Sequence, residues 1–101
     1  MEGGMLGSSA RPIQTWRPQA DFVEQSSEDI WQACVTCVRE AVKASAIAPS
    51  QVKGIGFDAT CSLVVLDADG QPLTVSPTGA HAQNVVVWMD HRATAEAQEI
   101  N

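Results

Sequence analysis

The stretch GIGFDATCSLVVLD, Gly54 to Asp67, carries the decisive pattern of this 101-residue chain. A short apolar, glycine-containing run, Val52 to Phe57, breaks at Asp58-Ala59-Thr60-Cys61-Ser62 and resumes as the unbroken apolar run Leu63 to Leu66. Apolar runs of this length without alternation suit buried strands. Asp67-Ala68-Asp69-Gly70 is a strong turn signal, and Leu73 to Val75 reads as the returning strand of a hairpin. After a loop from Ser76 to Gln83, punctuated by Pro77 and Gly79, Asn84 to Met89 repeats the buried-strand pattern with three consecutive valines.

On the N-terminal side, Ser26 to Ser45 reads as a helix. Ser26 is a good N-cap, and Glu28 and Asp29 place negative charge where the helix dipole favours it. Ile30, Cys34, Cys37, Val38, Ala41 and Val42 recur at spacings of three and four, which predicts one apolar stripe packed against the rest of the domain. Pro49 ends the element. Pro12 to Phe22 holds two prolines and one short extended candidate, Ile13 to Trp16, suited to an edge strand or arm. MEGGMLGSS, Met1 to Ser9, lacks periodicity and reads as a flexible leader. At the other end, a helix is expected from about Ala93 to Ile100. Helix, strand, hairpin, strand and helix in this order predict an α/β or α+β chain with a central sheet.

Composition narrows the function. Six basic against twelve acidic residues give a net charge of −6. That argues against nucleic acid or an anionic membrane as partner, since both call for clustered Lys and Arg. No apolar run approaches the roughly 20 residues of a membrane-spanning helix, and the first ten residues carry no secretory pattern. Three cysteines imply no disulfide framework, and a reducing cytoplasm is the simplest setting. A chain of this size buries only about 60% of its surface and is marginally stable alone.

Four constellations could carry chemistry. Cys34 and Cys37 have redox or half-zinc spacing, yet both fall on the apolar stripe of the expected helix, so buried small hydrophobes are the simpler reading. Asp67, Asp69 and Gly70 open like a calcium loop but lack its remaining ligands, which favours a hairpin turn. The break after the first strand, with Thr60, Cys61 and Ser62, offers small and hydroxylated residues where ligands approach an α/β sheet. A strand bulge or a local side-chain turn is the alternative there. Trp88, Asp90, His91 and Arg92 follow the valine strand: an apolar wall beside hydroxyl-pairing groups suits a polyol or sugar. Against that stands a core tryptophan followed by a turn in which Asp90 caps the next helix.

The combination of GIGFDATCSLVVLD with NVVVWMDHRA (Asn84 to Ala93) resembles the FGGY carbohydrate kinases, and within them a ribulokinase-like branch. EQSSEDIWQAC (Glu24 to Cys34), Pro12-Ile13-x-x-Trp16 and the terminal Glu99-Ile100-Asn101 agree with that branch, so the resemblance covers roughly Arg11 to Asn101. It implies an actin-like, ribonuclease H-like ATPase fold, here a fragment with a mixed sheet and flanking helices. It also implies transfer of the γ-phosphate of ATP, with Mg2+, to a hydroxyl of a sugar or polyol. The family's Asp-x-Gly-Thr phosphate turn should precede Ile13, and its catalytic-base Asp and adenine-binding lobe should follow Asn101. The chain is therefore expected to be a leader (1–10) and a partial N-terminal kinase domain (11–101), inactive alone and binding neither ATP nor Mg2+ by itself. Thr60, Cys61 and Ser62 stand where glycerol kinases place an Arg-Glu pair. Small residues there favour a ketose, a pentulose such as D-ribulose. Trp88 matches the tryptophan that packs on the substrate carbon chain, and Asp90, with His91 and Arg92, matches the polar residues after it. A homodimer of the complete enzyme remains open. The competing expectations are a non-catalytic, kinase-derived binding or regulatory module and a thiol redox protein acting through Cys34 and Cys37.

Overall fold

Helix α1 (Ser27–Ser45) forms where local signals place it. Ser26 adopts an extended N-cap conformation and its Oγ accepts the Asp29 N–H at 3.2 Å, satisfying one of the donors a helix start leaves free. Glu28 and Asp29 occupy the first turn and Lys43 the last, each matched to the dipole. Ala46 closes the helix in the left-handed conformation (φ 56°), its N–H donating to the Lys43 carbonyl. Ser26→Ala is expected to lower stability by about 1 kcal/mol, read as a reduced urea midpoint at unchanged slope.

A computed structural model describes residues 3–101. Besides α1, it contains β1 (Glu24–Gln25), a 3-10 turn at Pro49–Gln51, β2 (Leu63–Val64), β3 (Val85–Val86) and α2 (Thr94–Ile100). The strand order is β1-β3-β2. Val86 sits opposite Glu24 on one side and Leu63 on the other, and both pairings are antiparallel. Strands and helices are both present, but the sheet among the described residues is antiparallel rather than the expected mixed one. The reason lies in the segment Val52 to Phe57, read above as a strand. It adopts no regular structure and every residue from 52 to 61 is exposed, with Phe57 92% accessible. A strand needs a partner for its N–H and C=O groups, and no described strand lies beside this one. Ile13 to Trp16 likewise contributes a single bridge, in which Trp16 and Glu24 exchange two 2.9 Å backbone hydrogen bonds.

The hairpin turn forms as expected. Asp67 Oδ1 accepts the N–H groups of Asp69 (2.8 Å) and Gln71 (2.9 Å), Gly70 supplies the positive φ (76°), and Leu66 bridges Pro72. The strand entering this hairpin is not buried, however: Leu63 is 61% exposed, as are Val64 and Leu66 in good part. Its outer face meets no second layer. The apolar stripe of α1 differs from expectation in the same way, because no residue of the helix is buried, and Val38 and Cys34 are exposed. Cys34, Cys37 and Cys61 are all free thiols. What lies against the last half of α1 is part of the stretch read as a leader, Gly7 and Ser9, together with Arg11 just after it. Gly7 is so close that a Cβ there would stand 2.6 Å from the Ala41 carbonyl oxygen, and Ser9 and Arg11 both bind the Glu40 carboxylate. α2 begins without a side-chain cap at Ala93, so Asp90 is not its N-cap.

The core is small and largely polar. Val23, Val85 and Val87 are its buried apolar side chains, beside buried Glu24, Ser26, Ser76, Gln83 and Asn84. The radius of gyration is 17.7 Å, against about 13 Å for a compact domain of this length. Buried polar atoms must be paired to be tolerated, and none among the described side chains lacks a partner. Asn84 shows how: its Oδ1 accepts the Ser27 N–H (3.0 Å), while Nδ2 donates to Ser27 Oγ (2.9 Å) and the Val65 carbonyl (3.0 Å). One side chain thereby joins the start of α1 to the strands. Among the described residues no helix is long and apolar enough to cross a membrane.

Candidate functional site

Antiparallel pairing of β2 and β3 puts the entrance of one strand beside the exit of the other, since Leu63 faces Val86. The loop before β2 and the turn after β3 therefore meet at one end of the sheet. Between them lies an open groove of about 540 Å³. Asp58 to Ser62 form one side, Val87 to Met89 the other, and Gln25 and Ile13 contribute from the N-terminal elements. Cys61 bends the loop through the left-handed region (φ 56°), a conformation that costs a non-glycine residue on the order of 1 kcal/mol. The bend brings Thr60 Oγ1 and Ser62 Oγ, on either side of it, to 3.1 Å.

The lining is chemically simple. Trp88 is 65% exposed and presents an apolar wall, the Thr60 and Ser62 hydroxyls and the Gln25 amide can both donate and accept, and Asp58 is the one charged side chain among the described residues that line it. Among the described residues no Lys or Arg lines it. Such a surface suits a neutral ligand with one apolar face and several hydroxyls, and disfavours an anion.

The structure brings Thr60, Cys61, Ser62 and Trp88 together, but Asp90 and His91 do not line this groove. His91 is exposed, its backbone N–H donating to the Asp21 carbonyl at 2.9 Å. The Asp90 carboxylate turns inward and is only 1% accessible. Its Oδ2 accepts the Val23 N–H at 2.7 Å, its Oδ1 accepts the Arg92 N–H at 3.0 Å, and the Arg92 guanidinium binds both oxygens. Burial by itself pushes this carboxyl up; the hydrogen bonds from the Arg92 side chain, from Val23 and from the Arg92 backbone outweigh it and hold the group at about 2, below the ordinary 3.8.

A depressed carboxyl stabilises the fold above its unfolded value and loses that contribution as pH falls through the folded one. For Asp90 this is about 2 kcal/mol, present above pH 4 and lost between about pH 4 and 2. Asp90→Asn is expected to be less stable at pH 7 and to show a flatter decline across that window. Equal declines in urea titrations of both proteins would disprove the assignment.

Two residues of this centre, Glu24 and Gln83, carried no functional signal of their own in the sequence. Glu24, fully buried on β1, accepts from Arg92 Nη2 (2.8 Å) at one oxygen and from Gln83 Nε2 (2.9 Å) at the other. An acidic residue between an arm and a helix reads as solvated until its partner, 68 positions away, is known.

The pattern of the FGGY family of carbohydrate kinases, N-terminal domain, matches residues 1–101. The chain is 46% identical over 99 residues to an FGGY carbohydrate kinase domain-containing protein of Homo sapiens, covering 98% of this chain and 18% of that protein. It is 46% identical over 101 residues to a D-ribulokinase of Saccharomyces cerevisiae (98% of this chain, 14% of that protein). A glycerol kinase of Citrifermentans bemidjiense is 33% identical over 98 residues, covering 96% of this chain and 18% of that protein. The chain thus spans less than a fifth of the length of these relatives. With the whole chain matched, it belongs to the FGGY family of carbohydrate kinases, in the family's N-terminal domain.

Proposed function

We propose that this chain supplies one wall of the sugar site in a cytoplasmic, ATP-dependent kinase that phosphorylates a pentulose such as D-ribulose, within the N-terminal lobe of an actin-like, ribonuclease H-like fold. The observation that carries the reading is the convergence of Thr60, Cys61 and Ser62 with Trp88 on one groove. A sugar laid there rests its C–H face on the indole and pairs its hydroxyls with the Thr60 and Ser62 side chains, Gln25 and Asp58. The small side chains at 60–62 leave room for a carbon chain longer than glycerol's. The named D-ribulokinase relative, at 46% identity against 33% for the glycerol kinase, supports the same choice. Free thiols agree with a reducing compartment.

The groove does not fit the nucleotide. A triphosphate calls for cationic or convergent N–H donors, whereas the only charge lining the groove among the described residues is the Asp58 carboxylate. Nor do the described residues gather three or more metal-ligating side chains for magnesium. In this reading the residues in hand bind and orient the acceptor, and no phosphoryl-transfer step is assigned to them.

The test is a coupled assay of ADP release from the polypeptide carrying this chain, with ATP and Mg2+ and a panel of D-ribulose, other ketoses and glycerol. D-ribulose is expected to give the highest kcat/KM. Preference for glycerol would overturn the pentulose choice, and turnover of none would overturn the kinase reading.

A further inference from the structure

Trp88 is the largest side chain that lines the groove, yet with most of it exposed, little packing sets its direction. The direction is set by the backbone turn that carries it. The Asp90 N–H closes that turn on the Val87 carbonyl at 2.8 Å, and the Asp90 carboxylate ties it to the residue just before β1 through the Val23 N–H. Arg92 holds that carboxylate in place. Its guanidinium reaches three parts of the chain: both Asp90 oxygens after β3, Glu24 Oε2 on β1 (2.8 Å) and the Val75 carbonyl after the hairpin turn (2.6 Å). The Phe22 ring lies 4.1 Å from its central carbon. Gln83 orients the other Glu24 oxygen, so the acceptor is itself fixed. A planar fork with five donors can satisfy all these acceptors at once; an ammonium cannot.

We propose that Arg92 is the positioning residue of the groove's aromatic wall: through Asp90 it locks the turn that carries Trp88, and so sets affinity for a neutral polyhydroxyl ligand without touching it. This rests on the sugar-site reading of the groove. The assignment differs from a direct sugar contact by Asp90 or Arg92, since both have their hydrogen-bonding groups turned toward β1 and the hairpin.

The experiment compares the polypeptide carrying this chain with its Arg92→Lys and Asp90→Asn variants. Lys keeps the charge but loses the fork, and Asn keeps an oxygen for the Val23 N–H but loses the charge facing Arg92. Tryptophans are replaced by 5-fluorotryptophan, with the Trp88 resonance assigned by Trp88→Phe. In both variants the Trp88 fluorine line, single and narrow in the parent, is expected to broaden or split as the turn samples more than one state. The KM for the sugar is expected to rise about tenfold with kcat within about twofold, the signature of lost uniform binding. A fall in kcat at unchanged sugar KM would mean only fewer folded molecules and would overturn the proposal, as would an unaltered Trp88 line in both variants. If the parent phosphorylates no sugar, the kinase reading falls, and the fluorine spectra still decide whether Arg92 locks the turn.

Discussion

Replacing Arg92 by Met is expected to destabilise the domain by about 3 kcal/mol or more, the usual consequence of leaving a buried charge without its partner. Glu24 is fully buried and Asp90 nearly so, and the guanidinium is the cation that both face. Methionine fills a similar volume over Phe22 but offers no donors, so two buried carboxylates would lose their common cation beside the Val75 carbonyl, and Asp90 would lose the largest of the interactions that hold its carboxyl low. With net stabilities of about 5–15 kcal/mol for whole domains, such a loss is large. Urea unfolding followed by circular dichroism measures it. The triple variant Glu24→Gln, Asp90→Asn, Arg92→Met removes the charges together and is expected to recover part of the loss, because the penalty comes from uncompensated charge rather than from a missing attraction. An Arg92→Met midpoint equal to the parent's would show that the ion pairs contribute nothing.

A second large effect is expected from Asn84→Asp, which changes shape hardly at all. The Asn84 amide nitrogen donates to Ser27 Oγ and to the Val65 carbonyl from a fully buried position. An oxygen in its place faces the Val65 carbonyl with no hydrogen between them, and ionisation there would bury a charge without a cation. About 3 kcal/mol is expected near neutral pH, from the lost bonds and the desolvated group together. The sign with pH follows from the same cause. An unpaired buried carboxyl has a folded pKa above its unfolded one, so the deficit shrinks as pH falls toward 4, where the introduced group protonates and donates. A deficit that is constant from pH 8 to 4 would contradict this account. Because Asn84 links α1 to both β2 and β3, the variant is also expected to loosen the groove.

The elements that the amino-acid order announced were those whose causes lie within a few residues. Ser26 and Asp29 are three apart and start α1; Asp67 closes the hairpin turn with Asp69 and Gln71. The valines at 85–87 were legible as well: the run read as a buried strand, and Val85 and Val87 are buried, with Val85 and Val86 forming β3. The reading of Val52 to Phe57 as a strand had the right composition but no partner, and hydrogen-bond pairing is a property of two segments. Burial of Leu63 and of the α1 stripe failed for a related reason: periodicity identifies the apolar face and says nothing of what covers it.

For the groove, residue types and their chain order pointed to Thr60, Cys61, Ser62 and Trp88, and antiparallel pairing then brought them together. The part played by Asp90 was open in the sequence. A carboxylate after a strand can face a ligand, cap a helix or pair with an arginine, and all three look alike in one dimension. The choice was made by the fold, which carries Val23 and Glu24 to Asp90 and Arg92 across 67 and 68 residues. Local chemistry thus wrote the helix, the turns and the composition of the groove into the amino-acid order. Which polar groups are buried, and therefore which hold the structure and which are left to meet a ligand, depended on contacts between distant segments that only the folded chain creates.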